Sequence, residues 1–307
     1  MTRYVLHCLI LAVALGSMVL CGCGRVPQDG VKAPEHGALF GAYVNPTTYT
    51  EQGRIAAFLE FESAVGRPLD VFHDFHKWRD KFPSRADRYF AERDSILLLS
   101  WAGTDVRDIL SGRYDDMIRQ RARDLKNLGY PVLLRWRWEM NRPNLLNQVR
   151  SASSYVAAWR HIHDIFQRER VTNVSWTWCP LASVKKDQDY GAYYPGDSYV
   201  DWICADVYPG YSSATFAQVV DGFMVWARQV HKPILIGEFG QRRAAGSAAR
   251  SRWIRAAKNY VSKTPQIKAV CYFESDNGAG GAYDVSRDPA SLAALRGWAN
   301  SPYFETR

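Results

Sequence analysis

Cysteine is scarce and unevenly placed: the 307-residue chain has six, and Cys8, Cys21 and Cys23 fall within the first 24 residues. The other three, Cys179, Cys204 and Cys271, each lie in or beside an apolar run. So few exclude a small disulfide-stapled scaffold, and buried free thiols are the expected state. A Cys179 to Cys204 bridge would need the two segments to be neighbouring strands, which spacing alone does not establish. After residue 24 no stretch reaches the ~18 uninterrupted apolar residues of a membrane span. Histidine is also thin, at seven residues. His73 and His76, with Asp74 between them, lack a convincing third ligand, so they read as hydrogen-bonded cleft residues, and neither a metal nor a cofactor is expected. Lysine and arginine outnumber acidic residues 39 to 31 but form no basic stripe. In Arg119-Gln120-Arg121-Ala122-Arg123-Asp124 they alternate with uncharged and acidic residues as on a solvated helix face, which excludes a nucleic-acid partner.

Apolar material is plentiful. Hydrophobic residues make up 47% of the chain and aromatic ones 13%, enough for one large core and a single catalytic domain over residues 38–307. Eleven tryptophans and seventeen tyrosines exceed what that core needs, leaving rings to line a cleft.

The first 22 residues have the parts of a secretory signal: Arg3 as the only charge, an apolar stretch from Tyr4 to Leu20, and the small residue Gly22. Leu20-Cys21-Gly22-Cys23 resembles a bacterial lipobox, with Cys23 as the residue to be acylated, although Cys21 is unusual in that pattern. The expectation is an exported chain, attached peripherally to the cell envelope through Cys23 or secreted. Residues 23–37, rich in glycine, proline and polar groups without periodicity, read as a flexible tether. Loss of the leader lowers the formal charge by one from +8, a bias toward anionic envelope polymers.

Beyond the tether, short apolar runs alternate with amphipathic stretches, the pattern of a parallel α/β domain. Strands are expected at 39–44, 69–72, 95–100, 132–135, 174–178, 200–207, 234–236 and 267–273. Helices fall between them, among them 54–65, 114–128, 153–168, 216–230, 248–261 and 291–299. Residues 73–94 must hold one more helix among several charges and Pro83. Eight strand-helix units in about 250 residues make a (β/α)₈ TIM barrel, expected as a monomer.

Two glutamates stand out. Glu139 follows the fourth run and Glu238 follows the seventh, 99 residues later, room for three units of about 33 residues. Both carboxyls should therefore reach the C-terminal rim, where active sites of such barrels gather. Two carboxylates facing one another across a sugar ring suit glycoside hydrolysis. Glu274 is the rival carboxylate at another strand end.

Further motifs carry a resemblance. Leu134-Arg135 leads to Glu139-Met140-Asn141; then come Trp176-Thr177-Trp178-Cys179-Pro180, Tyr193-Tyr194-Pro195-Gly196-Asp197-Ser198-Tyr199-Val200-Asp201-Trp202, Asp206-Val207-Tyr208, and Pro233-Ile234-Leu235-Ile236-Gly237-Glu238-Phe239-Gly240. In this order the chain, over most of residues 39–300, resembles glycoside hydrolase family 26. The resemblance implies a retaining, endo-acting enzyme on a β-glycan, with β-1,4-mannan the default substrate and another β-glucan, a xylan or an envelope glycan as alternatives. It makes Glu139 the acid/base and Glu238 the nucleophile. A barrel that binds carbohydrate without turnover is the alternative outside enzymes.

Substrate-binding positions expected at the strand ends are Arg135, Trp138, Asn141, Asp206, Tyr208, Trp101, His76 and Phe273, with Arg135 or Tyr208 near enough to keep Glu238 ionised. Of Trp176 and Trp178, one is expected to stack on sugar and the other to pack outward. Two departures matter: Trp138 stands where the family usually has histidine, and Arg142-Pro143-Asn144-Leu145-Leu146 replaces the usual glycine and tryptophan-bearing loop, changing one wall of the cleft.

Overall fold

The computed structural model describes residues 29–185, 188–277 and 282–304. The expected leader, its lipobox and Cys23 lie outside the described residues. Among those described, no helix is long and apolar enough to cross a membrane.

Chain order is β1 (Leu39–Val44), α1 (Glu51–Val65), β2 (Val71–His76), α2 (Arg85–Glu92), β3 (Ile96–Trp101), α3 (Val106–Leu110), α4 (Asp115–Leu128), β4 (Val132–Trp136), α5 (Leu146–Val149), α6 (Ala152–Arg168), β5 (Val174–Trp178), β6 (Trp202–Val207), α7 (Phe216–Ala227), β7 (Ile234–Phe239), α8 (Ser247–Val261), β8 (Ile267–Glu274) and α9 (Pro289–Ala299). All strands are parallel and the sheet closes through β1 and β8 into a barrel. Local chemistry sets the helix ends. Thr50 caps α1 by accepting from the Gly53 amide; Ser84 and Asp87 form a reciprocal cap at α2, the helix left unplaced between residues 73 and 94. Gly129 ends α4 in the left-handed conformation that glycine adopts without steric cost.

Strand alternation divides the apolar residues between two cores. Outward residues such as Phe40, Phe72, Leu97, Leu99, Ile203, Ile236 and Val270 pack under the helices in the large cluster. Inward residues Leu39, Val71, Leu98, Leu133, Trp202, Leu235 and Ala269 fill the barrel. That interior cluster is apolar at its base; higher up the inward positions turn polar, with His73, Ser100, Arg135, Asp206 and Glu238 all buried.

Two expectations change here. Val31, within the expected tether, is buried in the interior cluster. Its amide donates to Ser175 Oγ at 2.8 Å and its carbonyl accepts from Trp202 Nε1 at 3.1 Å. A single valine among polar residues carries no periodicity, so the docking leaves no sequence signal. Secondly, Cys179 and Cys204 are bonded as a disulfide, and only Cys271 among the described cysteines is a buried free thiol. Parallel pairing of β5 with β6 brings the two cysteines' Cα atoms to 4.3 Å, both side chains facing inward.

Candidate active site

Arg135 organises the floor of the site. It is the last inward residue of β4 and is fully buried. Its Nη2 donates to Glu238 Oε1 at 2.5 Å, Nη1 to Asp206 Oδ1 at 2.7 Å and Nε to Ser100 Oγ at 2.8 Å. Ser100 Oγ lies 2.7 Å from His73 Nε2, which Arg135 Nη2 also approaches at 3.1 Å. With both neighbours donating, Nε2 is the acceptor and the imidazole proton sits on Nδ1. Burial, followed by the Arg135 charge, lowers the His73 pKa, so the ring is neutral. A cation thus sits under one oxygen of Glu238. The other oxygen accepts from the Tyr208 hydroxyl at 2.8 Å, and burial, then the Glu238 charge, raises that tyrosine's pKa so that it keeps its proton.

A bulge aims Glu238. The β6–β7 register runs Ala205 to Ile236 and then Asp206 to Glu238, so Gly237 is the extra residue. Without it, strict alternation would turn Glu238 toward the helices. Gly237 itself faces the floor: a Cβ there would come within 2.5 Å of Cys204 Sγ and 2.8 Å of both Arg135 Nη1 and Asp206 Oδ1.

Glu139 lies beyond the end of β4 in a turn where Arg137 and Glu139 both have positive φ, 48° and 54°. Such backbone persists for non-glycine residues only where surroundings hold it. Here the Arg137 amide donates to Trp101 O at 2.9 Å and the Glu139 amide to Cys179 O at 2.7 Å. Burial and then the negative charge of Glu238 raise the Glu139 pKa, against the lowering effect of Arg142 and Arg135. Arg142 Nη1 is 2.5 Å from Glu139 Oε2. One carboxyl therefore favours its proton while the other sits on a cation and a hydroxyl donor, the separation that acid and nucleophile require.

Both glutamates line one cleft of about 640 Å³ at the C-terminal end of the barrel. Of the expected substrate positions, Trp138, Tyr208 and Phe273 line it. The others do not. Arg135 and Asp206 form the floor beneath Glu238; burial and the neighbouring Glu238 and Glu139 charges push the Asp206 pKa up, against Arg135. Asn141 is a loop latch: its Oδ1 accepts from the Leu181 amide at 2.9 Å and its Nδ2 donates to Leu181 O at 2.9 Å. Trp101 faces outward, stacked on Trp78 with ring centroids 4.6 Å apart. Trp176 and Trp178 are two apart on one strand and so share a face, which is the outer one: Trp176 packs on Trp159 and Phe166, Trp178 on Tyr194 and Trp226.

His76 also points outward, with Nε2 3.0 Å from Asp87 Oδ2 of α2. Glu274 faces out as well and accepts from the Val285 and Ser286 amides. Among the described residues, ligand-type atoms converge within 4.8 Å in two groups, Cys179, Cys204 and Asp206, and Asp74, His76 and Asp87. The first spends both sulfurs in the disulfide. The second lies behind the barrel, with Arg54 on Asp74 at 2.6 Å.

Several cleft residues were missed by sequence reasoning: Tyr43 of β1, Phe75 of β2, and Tyr211, Arg242 and Tyr283 on loops. Strand parity would have found the first two, since they share a face with Gly41 and His73. The loop residues carry no such signal.

A closed parallel barrel with one glutamate just past its fourth strand and another at the end of its seventh has the arrangement of the barrel glycoside hydrolases. Within that class the chain belongs to glycosyl hydrolase family 26, whose sequence profile matches residues 91–285. Among its relatives, Endoglucanase H of Acetivibrio thermocellus is 30% identical over 96% of this chain and 33% of that protein. Mannan endo-1,4-beta-mannosidase A and B of Caldalkalibacillus mannanilyticus is 30% identical over 60% of this chain and 37% of that protein. The chain thus spans about a third of the length of these curated relatives. In fold it is similar to the catalytic domain of the Bacillus sp. JAMB-750 GH26 endo-beta-1,4-mannanase, with a TM-score of 0.67, 17% identity and coverage of 87% of this chain and 86% of that one.

Proposed function

We propose that the protein is an endo-acting, retaining hydrolase of a β-glycan working by double displacement. Glu238 attacks the anomeric carbon while Glu139 protonates the departing glycosidic oxygen; Glu139 then takes a proton from the water that releases the sugar from Glu238. The observation that carries this reading is the division of the two cleft carboxyls. Glu238 rests on Arg135 and Tyr208, whereas burial and the Glu238 charge push Glu139 toward its protonated form. Tyr208 holds the nucleophile's free oxygen, and the ring of Trp138, 5.2 Å from the Arg135 guanidinium, offers a face toward the sugar.

The default substrate is β-1,4-mannan; similarity to an endoglucanase over nearly the whole chain supports β-glucan as the alternative. The chain would act as a monomer, exported and attached to the envelope through an acylated Cys23, testable by the mass of its N-terminal peptide. The activity test is release of reducing ends from mannan, mixed-linkage glucan and xylan. Wild-type protein should cleave at least one of them and Glu238→Ala none while still binding oligosaccharide. Failure of the wild type on the whole panel, with binding intact, would leave a carbohydrate-binding barrel.

A further inference from the structure

The cleft brings together two guanidinium groups that the double displacement does not call for. Arg142 follows Glu139 by three residues and Arg242 follows Glu238 by four, so the end of β4 and the end of β7 each bring one carboxyl and one arginine to the same space. Apart from tyrosines, these four are the ionisable groups among the described residues lining it. The nucleophile already has its cation in Arg135, underneath and out of reach of substrate. Arg142 is different: its side chain is 32% exposed, reaches into the cleft and holds the acid/base carboxyl. A cation bound there favours the ionised carboxylate and opposes proton donation. Such a pairing is useful in the free protein only if substrate breaks it.

Arg242 lines the same cleft, with its guanidinium 3.6 Å from the centre of the Tyr211 ring, whose residue is 86% exposed. A planar cation on an aromatic face makes a flat surface able to meet a sugar that carries negative charge.

We propose that the cleft is built for a β-glycan bearing ring carboxylates, that is, one containing uronic acid residues, and that Arg142 transfers from Glu139 to the substrate's carboxylate on binding. A carboxylate is the group Arg142 already holds, and guanidinium binds it with matched planar geometry. The transfer leaves Glu139 without its partner and free to keep the proton it must donate. The cation of Arg242 then supports a second charged residue along the polymer. This inference rests on the hydrolytic reading and narrows its substrate, and the basic composition of the chain is in keeping with it.

The test uses matched polymers: β-1,4-mannan and mixed-linkage β-glucan, each unmodified and with a fraction of its C6 hydroxymethyl groups oxidised to carboxylates. Reducing-end assays give kcat/KM for the wild type and for Arg142→Gln. Calorimetry with the Glu238→Gln protein gives binding of the corresponding oligosaccharides without turnover. At least one oxidised polymer should be preferred about tenfold or more over its neutral parent, the preference should weaken with added salt, and Arg142→Gln should bring the two forms within about twofold. Equal handling of oxidised and neutral forms, or a loss in Arg142→Gln that falls on both alike, would overturn the proposal and leave the hydrolase standing. Tight, salt-sensitive binding of oxidised ligand by a wild type that cleaves nothing would instead support the charge preference and sink the hydrolytic reading.

Discussion

Glu139 and Glu238 share a cleft and a residue type, so whatever separates their roles lies in their neighbours. Because Glu139 must be protonated to act as an acid, activity should fall as pH rises through its pKa. That pKa is raised by burial and by Glu238, which places the basic limb of the kcat/KM profile above the range of an ordinary glutamate. Glu139→Gln should lose on the order of 10²–10⁴ in rate on glycans, and far less on an aryl glycoside whose leaving group needs no proton. Arg142→Gln removes an influence that lowers the Glu139 pKa, so the basic limb should move to higher pH; an unmoved limb would show that the ion pair does not reach the acid. Gly237 is the remaining residue on which the geometry turns. Gly237→Ala forces a methyl into Cys204, Arg135 and Asp206, with an expected cost of about 1–3 kcal/mol in stability. It should lower kcat more than binding, since Glu238 moves with the bulge. A fully active Gly237→Ala protein would contradict that account.

At the scale of elements, the pairing of β5 with β6 shows how far sequence reasoning reached. Apolar runs located every strand, because a run buried on both faces is visible without knowing which face each residue takes. Facing was harder. Trp101, His76 and one of Trp176 and Trp178 were expected at the cleft because aromatic and imidazole groups suit sugars, but all four occupy an outward parity on their strands, where the helix layer needs large rings or, for His76, offers Asp87. Glu238 reached the site through a bulge, which alternation cannot anticipate; its place at the rim was legible from the strand end and the 99-residue spacing, but its inward facing was not. The disulfide was obscured for a related reason, since Cys179 and Cys204 become neighbours only once barrel register is set. It closes a loop of 25 residues, and chain-entropy reasoning assigns such a cross-link about 3 kcal/mol. Cys179→Ala/Cys204→Ala protein should therefore melt several degrees lower than wild type, and dithiothreitol should lower the wild-type melting temperature while leaving the variant's unchanged. Coincident melting of all samples would argue that the bond contributes nothing to stability.

Across the whole molecule the two ends of the barrel carry different duties. The upper end collects buried ionisable groups that are costly to desolvate: Arg135 bonds both Asp206 and Glu238, and Glu139 is buried with Arg142 as its partner. At the lower end the apolar interior is closed by Val31, held through its backbone by Ser175 and Trp202. Side-chain truncation at the two ends should therefore separate stability from turnover. Val31→Ala removes buried methyl groups from the base and should cost about 1–2 kcal/mol, read as a lowered denaturation midpoint at unchanged denaturant slope. Its kcat and KM should match wild type, because nothing it touches reaches the cleft. Glu238→Gln should do the opposite: turnover is lost, while the glutamine carbonyl can still accept from Arg135, so the midpoint changes little. If Val31→Ala altered the pH profile or the preference among glycans, the base would be coupled to the floor network through the interior stack of Leu133, Trp202 and Leu235, and the division between the ends would have to be given up.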